Sequence, residues 1–271
     1  TQSGGERPAQ SRLTPQVEQL YDKAARKASK VVERHPESDL VDDAKLILGR
    51  SFYWQGNYLG AGQQFAELEA GLPDGEMRDR ARFWRAQCEE GQGSLDQATP
   101  IYRELFQTGR GELAFQSGLR LGELAFARLD HVVAVQGFQA VLQAFPQAPG
   151  RFGVWLRLGE ALQALADSSR QAETLQAFAA AAADGAPLEV EYRARLNTGQ
   201  VLQAAGDAEG ALRTYNGLLQ ESRFRAFEGQ TRILIGQLYQ AAGDRERALA
   251  EYNQVRDDFP QTAASAMALY R

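Results

Sequence analysis

A single cysteine, Cys88, removes two chemistries at once. No internal disulfide can form, and no cysteine-based metal cluster is available. Histidine is nearly as scarce. His35 and His131 lie far apart, His35 beside a proline at a predicted helix end and His131 in a predicted turn. A histidine needs an oriented partner to act as acid, base or ligand, so neither reads as catalytic or metal-binding. Lysine is confined to Lys23, Lys27, Lys30 and Lys45; every other basic side chain is arginine. No basic stripe is expected anywhere in the chain, and its net charge is −5, which removes the electrostatic footprint of a nucleic-acid binder. No apolar run approaches eighteen residues, so no segment reads as a membrane-spanning helix. Gly-x-Ser-x-Gly, a glycine-rich phosphate loop, His-Glu-x-x-His and Cys-x-x-Cys are all missing. No catalytic residue, metal or cofactor is therefore expected. Glu89 and Glu90 are adjacent carboxylates, but neighbouring helical residues point in different directions, so they read as a surface feature. Cys88 reads as a small buried apolar residue.

What the chain has instead is periodicity. Ala24, Ala61, Ala98, Ala134, Ala211 and Ala248 recur at steps of 37, 37, 36, 77 and 37, the long gap leaving room for one further unit. Four residues on stand Ala28, Phe65, Tyr102, Phe138, Tyr215 and Tyr252. Self-similarity at this period signals stacked supersecondary units, in which each repeat buries its surface against its neighbours. Residues 1–14 are polar, with glycine and proline and no periodicity, and read as a flexible tether. Thr14-Pro15 is a helix-start signal, and Val17, Leu20, Tyr21, Ala24, Ala28, Val31 and Val32 form a 3.6-residue stripe, giving a capping helix over 15–35.

Beyond it each unit repeats one plan: a helix A carrying Leu-Gly, a short turn, then a helix B carrying Ala-x3-aromatic and ending near a proline. Leu48-Gly49, Leu121-Gly122, Leu158-Gly159 and Ile235-Gly236 show the first column, and Gly199 continues it. Trp155-x2-Leu158-Gly159-x2-Leu162 adds a tryptophan. These residues resemble the tetratricopeptide repeat. The resemblance implies an all-α fold: an α-solenoid of about six helix–turn–helix repeats in a right-handed superhelix. The units are expected at about 42–75, 79–112, 115–148, 152–188, 192–225 and 229–262, with an incomplete helix over 263–271 and native sequence continuing past Arg271. The second unit departs most, with Arg85-Ala86 and Glu89 where Leu-Gly and an aromatic are expected. In the fourth, Phe178 enters the aromatic column only if the turn around Ser168-Ser169-Arg170 is about three residues longer. The glycines let the two helices of a unit approach, and the aromatics are expected to fill the space between neighbouring units.

In such arrays helix A lines the concave face, and the residues one and four after the glycine column point into the groove. By that resemblance the partner-binding residues are Arg50, Tyr53, Trp54, Gln87, Glu90, Glu123 and Phe126. Later units supply Glu160, Gln163, Gln200, Gln203, Gln237 and Gln240. The groove is thus expected to be aromatic in one half and amide-lined in the other, suiting a protein or peptide partner. The competing reading packs Tyr53 and Trp54 on the capping helix. The family's dicarboxylate clamp, which grips acidic C-termini, places asparagine after the glycine; Arg50, Gln87, Glu123, Glu160, Gln200 and Gln237 stand there instead, which argues against such a ligand.

Two junctions, Arg34-His35-Pro36-Glu37-Ser38-x2-Val41-x2-Ala44 and Phe259-Pro260-Gln261-Thr262-x2-Ser265-x2-Ala268, resemble those of bacterial envelope tetratricopeptide proteins, the BamD-type outer-membrane lipoproteins and the Tol–Pal-associated coordinator. That implies a non-catalytic adaptor in the periplasm or at the outer membrane, in contact with a membrane only through a possible lipid anchor before residue 1, with homo-oligomers possible. The alternative is a cytoplasmic repeat module of a larger regulator with a further domain after residue 271.

Overall fold

The computed structural model describes residues 14–260. The expected tether (save Thr14) and the expected helix over 263–271 lie outside those residues. Among the described residues there are thirteen α-helices and no strand. They group into two compact units, one ending at Leu129 and the other starting at Asp130.

The first unit holds α1 (Pro15–Arg34), α2 (Val41–Trp54), α3 (Tyr58–Gly71), α4 (Glu76–Gly91), α5 (Leu95–Thr108) and α6 (Gly111–Ala127). Each helix packs on the next in sequence, and α4 also touches both α2 and α6, so the A helices stack side by side. The second unit holds α7 (His131–Ala144), α8 (Arg151–Ala164), α9 (Gln171–Ala181), α10 (Leu188–Ala204), α11 (Ala208–Gln220), α12 (Glu228–Ala241) and α13 (Arg245–Asp258). There too successive helices pack together, and α8 touches α10. His131 is the first residue of α7 and not a turn residue, because Asp130 caps that helix by accepting a bond from the Val133 amide at 3.2 Å.

Most of the A–B turns share one chemistry, though Ser94 before α5 makes no side-chain cap. The residue closing helix A takes a positive φ, as at Gly56 (78°) and Gly206 (85°). The next residue then caps helix B: Asn57 accepts from the Gly60 amide at 3.0 Å, and Asp207 from the Gly210 amide at 2.8 Å. Leu129 (62°) and Ala166 (52°) hold the same conformation with side chains, a steric cost that glycine escapes.

Packing inside each hairpin turns on the glycine column. A Cβ built on Gly49 would lie 2.7 Å from the Phe65 ring, and one on Gly159 2.5 Å from Phe178. At Gly199 and Gly236 the rings of Tyr215 and Tyr252 come nearer still. The aromatics therefore sit first against the glycine of their own hairpin, not simply between neighbouring units as expected. Helix A and helix B approach closely only where no side chain intervenes, and the ring then occupies the vacated volume. Phe65, Phe178 and Tyr215 are fully buried. Phe178 reaches its glycine because a 3-10 turn at Ser168–Arg170 lengthens the connection between α8 and α9. Cys88 is buried among Leu46, Ala61, Phe65, Leu68 and Ala81, and that burial pushes its thiol up to about 12.

Candidate functional site

The seven expected partner-binding residues stand on A helices of the first unit: Arg50, Tyr53 and Trp54 on α2, Gln87 and Glu90 on α4, and Glu123 and Phe126 on α6. The structure joins five of them, in two groups, through residues that were not expected there: Trp84 gathers Arg50, Tyr53 and Trp54, and Arg120 gathers Glu90 and Glu123. The hub is Trp84 of α4. Its ring lies 5.3 Å from Tyr53, 6.5 Å from Trp54 and 6.0 Å from Phe65, and the Arg50 guanidinium sits over it at 5.2 Å. Tyr53 meets Trp54 edge-on at 5.4 Å and Tyr58 at 5.2 Å. Trp54 stacks on Tyr21 of α1 at 6.3 Å. Rings at such spacings attract through their quadrupoles beyond simple burial, so this is one aromatic ladder running from α1 to α4.

Within the ladder the residues differ in access. Tyr53 is half-buried, and burial, with Tyr58 and Glu90 nearby, pushes its phenol up to about 12. Trp54 keeps 44% of its surface exposed, and Arg50 is exposed above Trp84. Trp54 thus packs on the capping helix, as the competing reading expects, and still keeps nearly half of its surface open to solvent. Gln87 and Phe126 are half-buried.

Beside the rings stands a polar cluster. Arg120 of α6 donates to Glu123 at 2.6 Å and pairs closely with Glu90. The Tyr102 hydroxyl donates to Glu90 at 3.1 Å. Burial opposes the charge of Arg120, but Glu90 and Glu123 outweigh it and raise its pKa. Burial, then Glu90, pushes the Tyr102 phenol up as well. One guanidinium pairs with both expected carboxylates, so they serve to fix α4 against α6.

Trp84 and Arg120 carried a signal that the one-and-four rule missed. They stand two residues before the column positions Ala86 and Gly122, one helical turn ahead of Gln87 and Glu123. The spacing −2, +1, +4 lies on one helix face.

In the second unit Glu160 is held at 2.9 Å by Arg157 and at 2.6 Å by Arg193, and Gln240 accepts from the Tyr252 hydroxyl at 3.1 Å. Gln163, Gln200, Gln203 and Gln237 are half-buried. A cavity of about 350 Å³ opens between α7, α8 and α9, over Trp155 and Leu142, and Gln139 bonds Glu173 across it at 2.9 Å. The Glu173 carboxylate is also engaged by Arg170 at 2.8 Å.

The tetratricopeptide repeat family model matches residues 232–262, which run from within α12 past the end of α13. Its fold is the tetratricopeptide-repeat fold. The C-terminal part of a TPR repeat-containing protein from Cytophaga hutchinsonii is similar, with a TM-score of 0.69 over 92% of this chain and 95% of that one, at 13% identity. The apo form of RapI gives 0.71 over 93% and 75%, at 14% identity. Pseudomonas aeruginosa pilF gives 0.57 over 86% and 99%, at 17% identity. At these identities the likeness is one of fold. No curated protein sequence matches. Tetratricopeptide-repeat proteins are generally non-catalytic scaffolds that bind protein partners.

Proposed function

We propose that the chain is a protein-interaction scaffold that holds a partner segment on the A-helix face of its first unit. The observation that carries this is the exposed edge of Trp54 and Arg50 on a ladder whose other rings are packed. An anchor that is already immobilised loses little entropy when a partner covers it. The partner segment is a helix or extended peptide of a cell-envelope protein, in the periplasm or at the outer membrane. The two proline junctions at 34–44 and 259–268 support that location by their resemblance to envelope repeat proteins.

The test is affinity capture from separated envelope and cytosolic fractions, with wild type and with an Arg50→Ala/Trp54→Ala variant. Envelope proteins recovered by wild type should fall at least tenfold with the variant, since removing an interface anchor costs about 2 kcal/mol or more. Unchanged recovery, or capture from the cytosolic fraction alone, would overturn the reading.

A further inference from the structure

The arginines from Arg78 to Arg256 are for the most part spent on ion pairs with nearby carboxylates. α1 is different. Lys23, Arg26, Lys27, Lys30 and Arg34 are all exposed, and none pairs with a carboxylate among the described residues. Their spacing of i, i+3, i+4, i+7 and i+11 puts them on one stripe of the helix, about 16 Å long. The opposite side of α1 packs Ala25, Ala28, Val31 and Val32 on Ala44 and Leu48 of α2. Three of the four lysines in the chain stand on this stripe, and Leu20, 65% exposed, flanks it one turn from its N-terminal end.

We propose that this face of α1 docks on the surface of an anionic lipid bilayer. The residue choice favours a lipid surface over a folded acidic partner. Arginine makes bidentate, geometrically fixed pairs, and this chain uses it for them. Lysine is a hydrated point charge suited to a diffuse layer of headgroups that imposes no geometry. The chain as a whole is acidic, with a net charge of −5, so an anionic surface attracts this stripe and repels the rest, which sets the orientation. Leu20 is placed to enter the interface beside the cations. The proposal is independent of the partner face on α2, α4 and α6.

Sedimentation of the 271-residue chain with phosphatidylcholine vesicles, with and without phosphatidylglycerol, tests it. Binding should require phosphatidylglycerol and be lost as salt rises from about 0.05 to 0.5 M. A surface cation contributes roughly a fivefold factor, so K23Q/K27Q/K30Q should lower partitioning about 100-fold with helicity unchanged by circular dichroism. R213Q/R245Q, on exposed arginines of the second unit, should leave it unchanged. Equal uptake by both vesicle types, no uptake by either, or equal uptake of the lysine variant would overturn the proposal. So would light scattering that shows a dimer lost in K23Q/K27Q/K30Q without vesicle binding, which would make a second copy the occupant.

Discussion

The first unit sets a ladder of rings beside the Arg120–Glu90–Glu123 cluster on its A helices, whereas the second sets amides beside an ion-pair cluster of its own. Tyr53, Trp54 and Trp84 stand in the one, and Gln163, Gln200, Gln203 and the Arg157–Glu160–Arg193 cluster in the other. Behind these faces the packing is the same. Gly49 receives Phe65 in the first unit, and Gly199 receives Tyr215 in the second. The contrast separates two kinds of constraint. The glycine–ring column has almost no steric freedom, because a single methyl would have to displace a buried ring. The A-helix face meets few such limits, so its chemistry diverges between units while the hairpin stays fixed. Function is therefore to be sought in the face, and stability in the column.

The largest effect should come from breaking the ladder at its hub. Trp84→Ala removes contacts to Tyr53, Trp54, Phe65 and Phe83 together. A loss of about 3–5 kcal/mol is expected, read by urea denaturation. Trp54→Ala should cost only about 1 kcal/mol, because nearly half of that side chain already meets solvent. Equal losses would mean that Trp54 is as structural as Trp84 and that the face offers no free anchor.

The same contrast explains what could be read from the chain. The columns were legible, because a repeated steric demand leaves a repeated residue. Phe178 was even placed in register across a longer turn, and the 3-10 turn at Ser168–Arg170 supplies the added length. Trp84 was not legible. Its helix breaks the column with Arg85-Ala86, and it breaks it because Arg82 and Arg85 pair with Glu69 of α3 in place of apolar contact. Arg120 was missed for another reason: the face extends one turn before the glycine, and a rule built on the two positions after it stops short. Tyr53 was placed correctly on its helix, but its half-burial depends on Tyr58 and Trp84, which no local pattern links to it.

A smaller effect sharpens the column side of the comparison. Gly236→Leu should cost about 1–3 kcal/mol by urea denaturation, because the Tyr252 ring has no vacant space to enter. Gln237→Leu, one residue on and half-buried on the variable face, should change stability by about 0.5 kcal/mol or less. Similar losses for the two would show that column and face are not distinct.

Alkaline unfolding probes both units at once. Tyr53 and Cys88 are pushed up to about 12 in the folded first unit, and burial raises Tyr192 and Tyr215 in the second. A group whose folded pKa is raised contributes fully below its unfolded pKa and loses that contribution as pH rises toward the folded one. Stability should therefore hold up to about pH 9, where the Cys88 thiol would ionise in the unfolded chain, and fall steadily from there toward pH 12. A flat profile through that range would contradict the burial of these groups.

The finest comparison sets Tyr102 against Tyr215, two buried rings at equivalent column positions. The Tyr102 hydroxyl donates to Glu90, whose charge Arg120 also holds. The Tyr215 hydroxyl is buried with no hydrogen-bond partner among the described residues. A buried polar group without a partner has lost its water bonds and gained nothing in return, which costs about 1–3 kcal/mol. Tyr215→Phe removes that group and keeps the ring against Gly199, so it should be neutral or stabilise by about 1 kcal/mol. Tyr102→Phe removes a bond to a charged acceptor and should destabilise by about 1.5 kcal/mol. The two urea midpoints should move in opposite directions, or only that of Tyr102→Phe should move. A loss for Tyr215→Phe as large as that for Tyr102→Phe would show that the Tyr215 hydroxyl is satisfied by an internal water. The polar chemistry of the column would then be the same in both units, with only the A-helix face left to tell them apart.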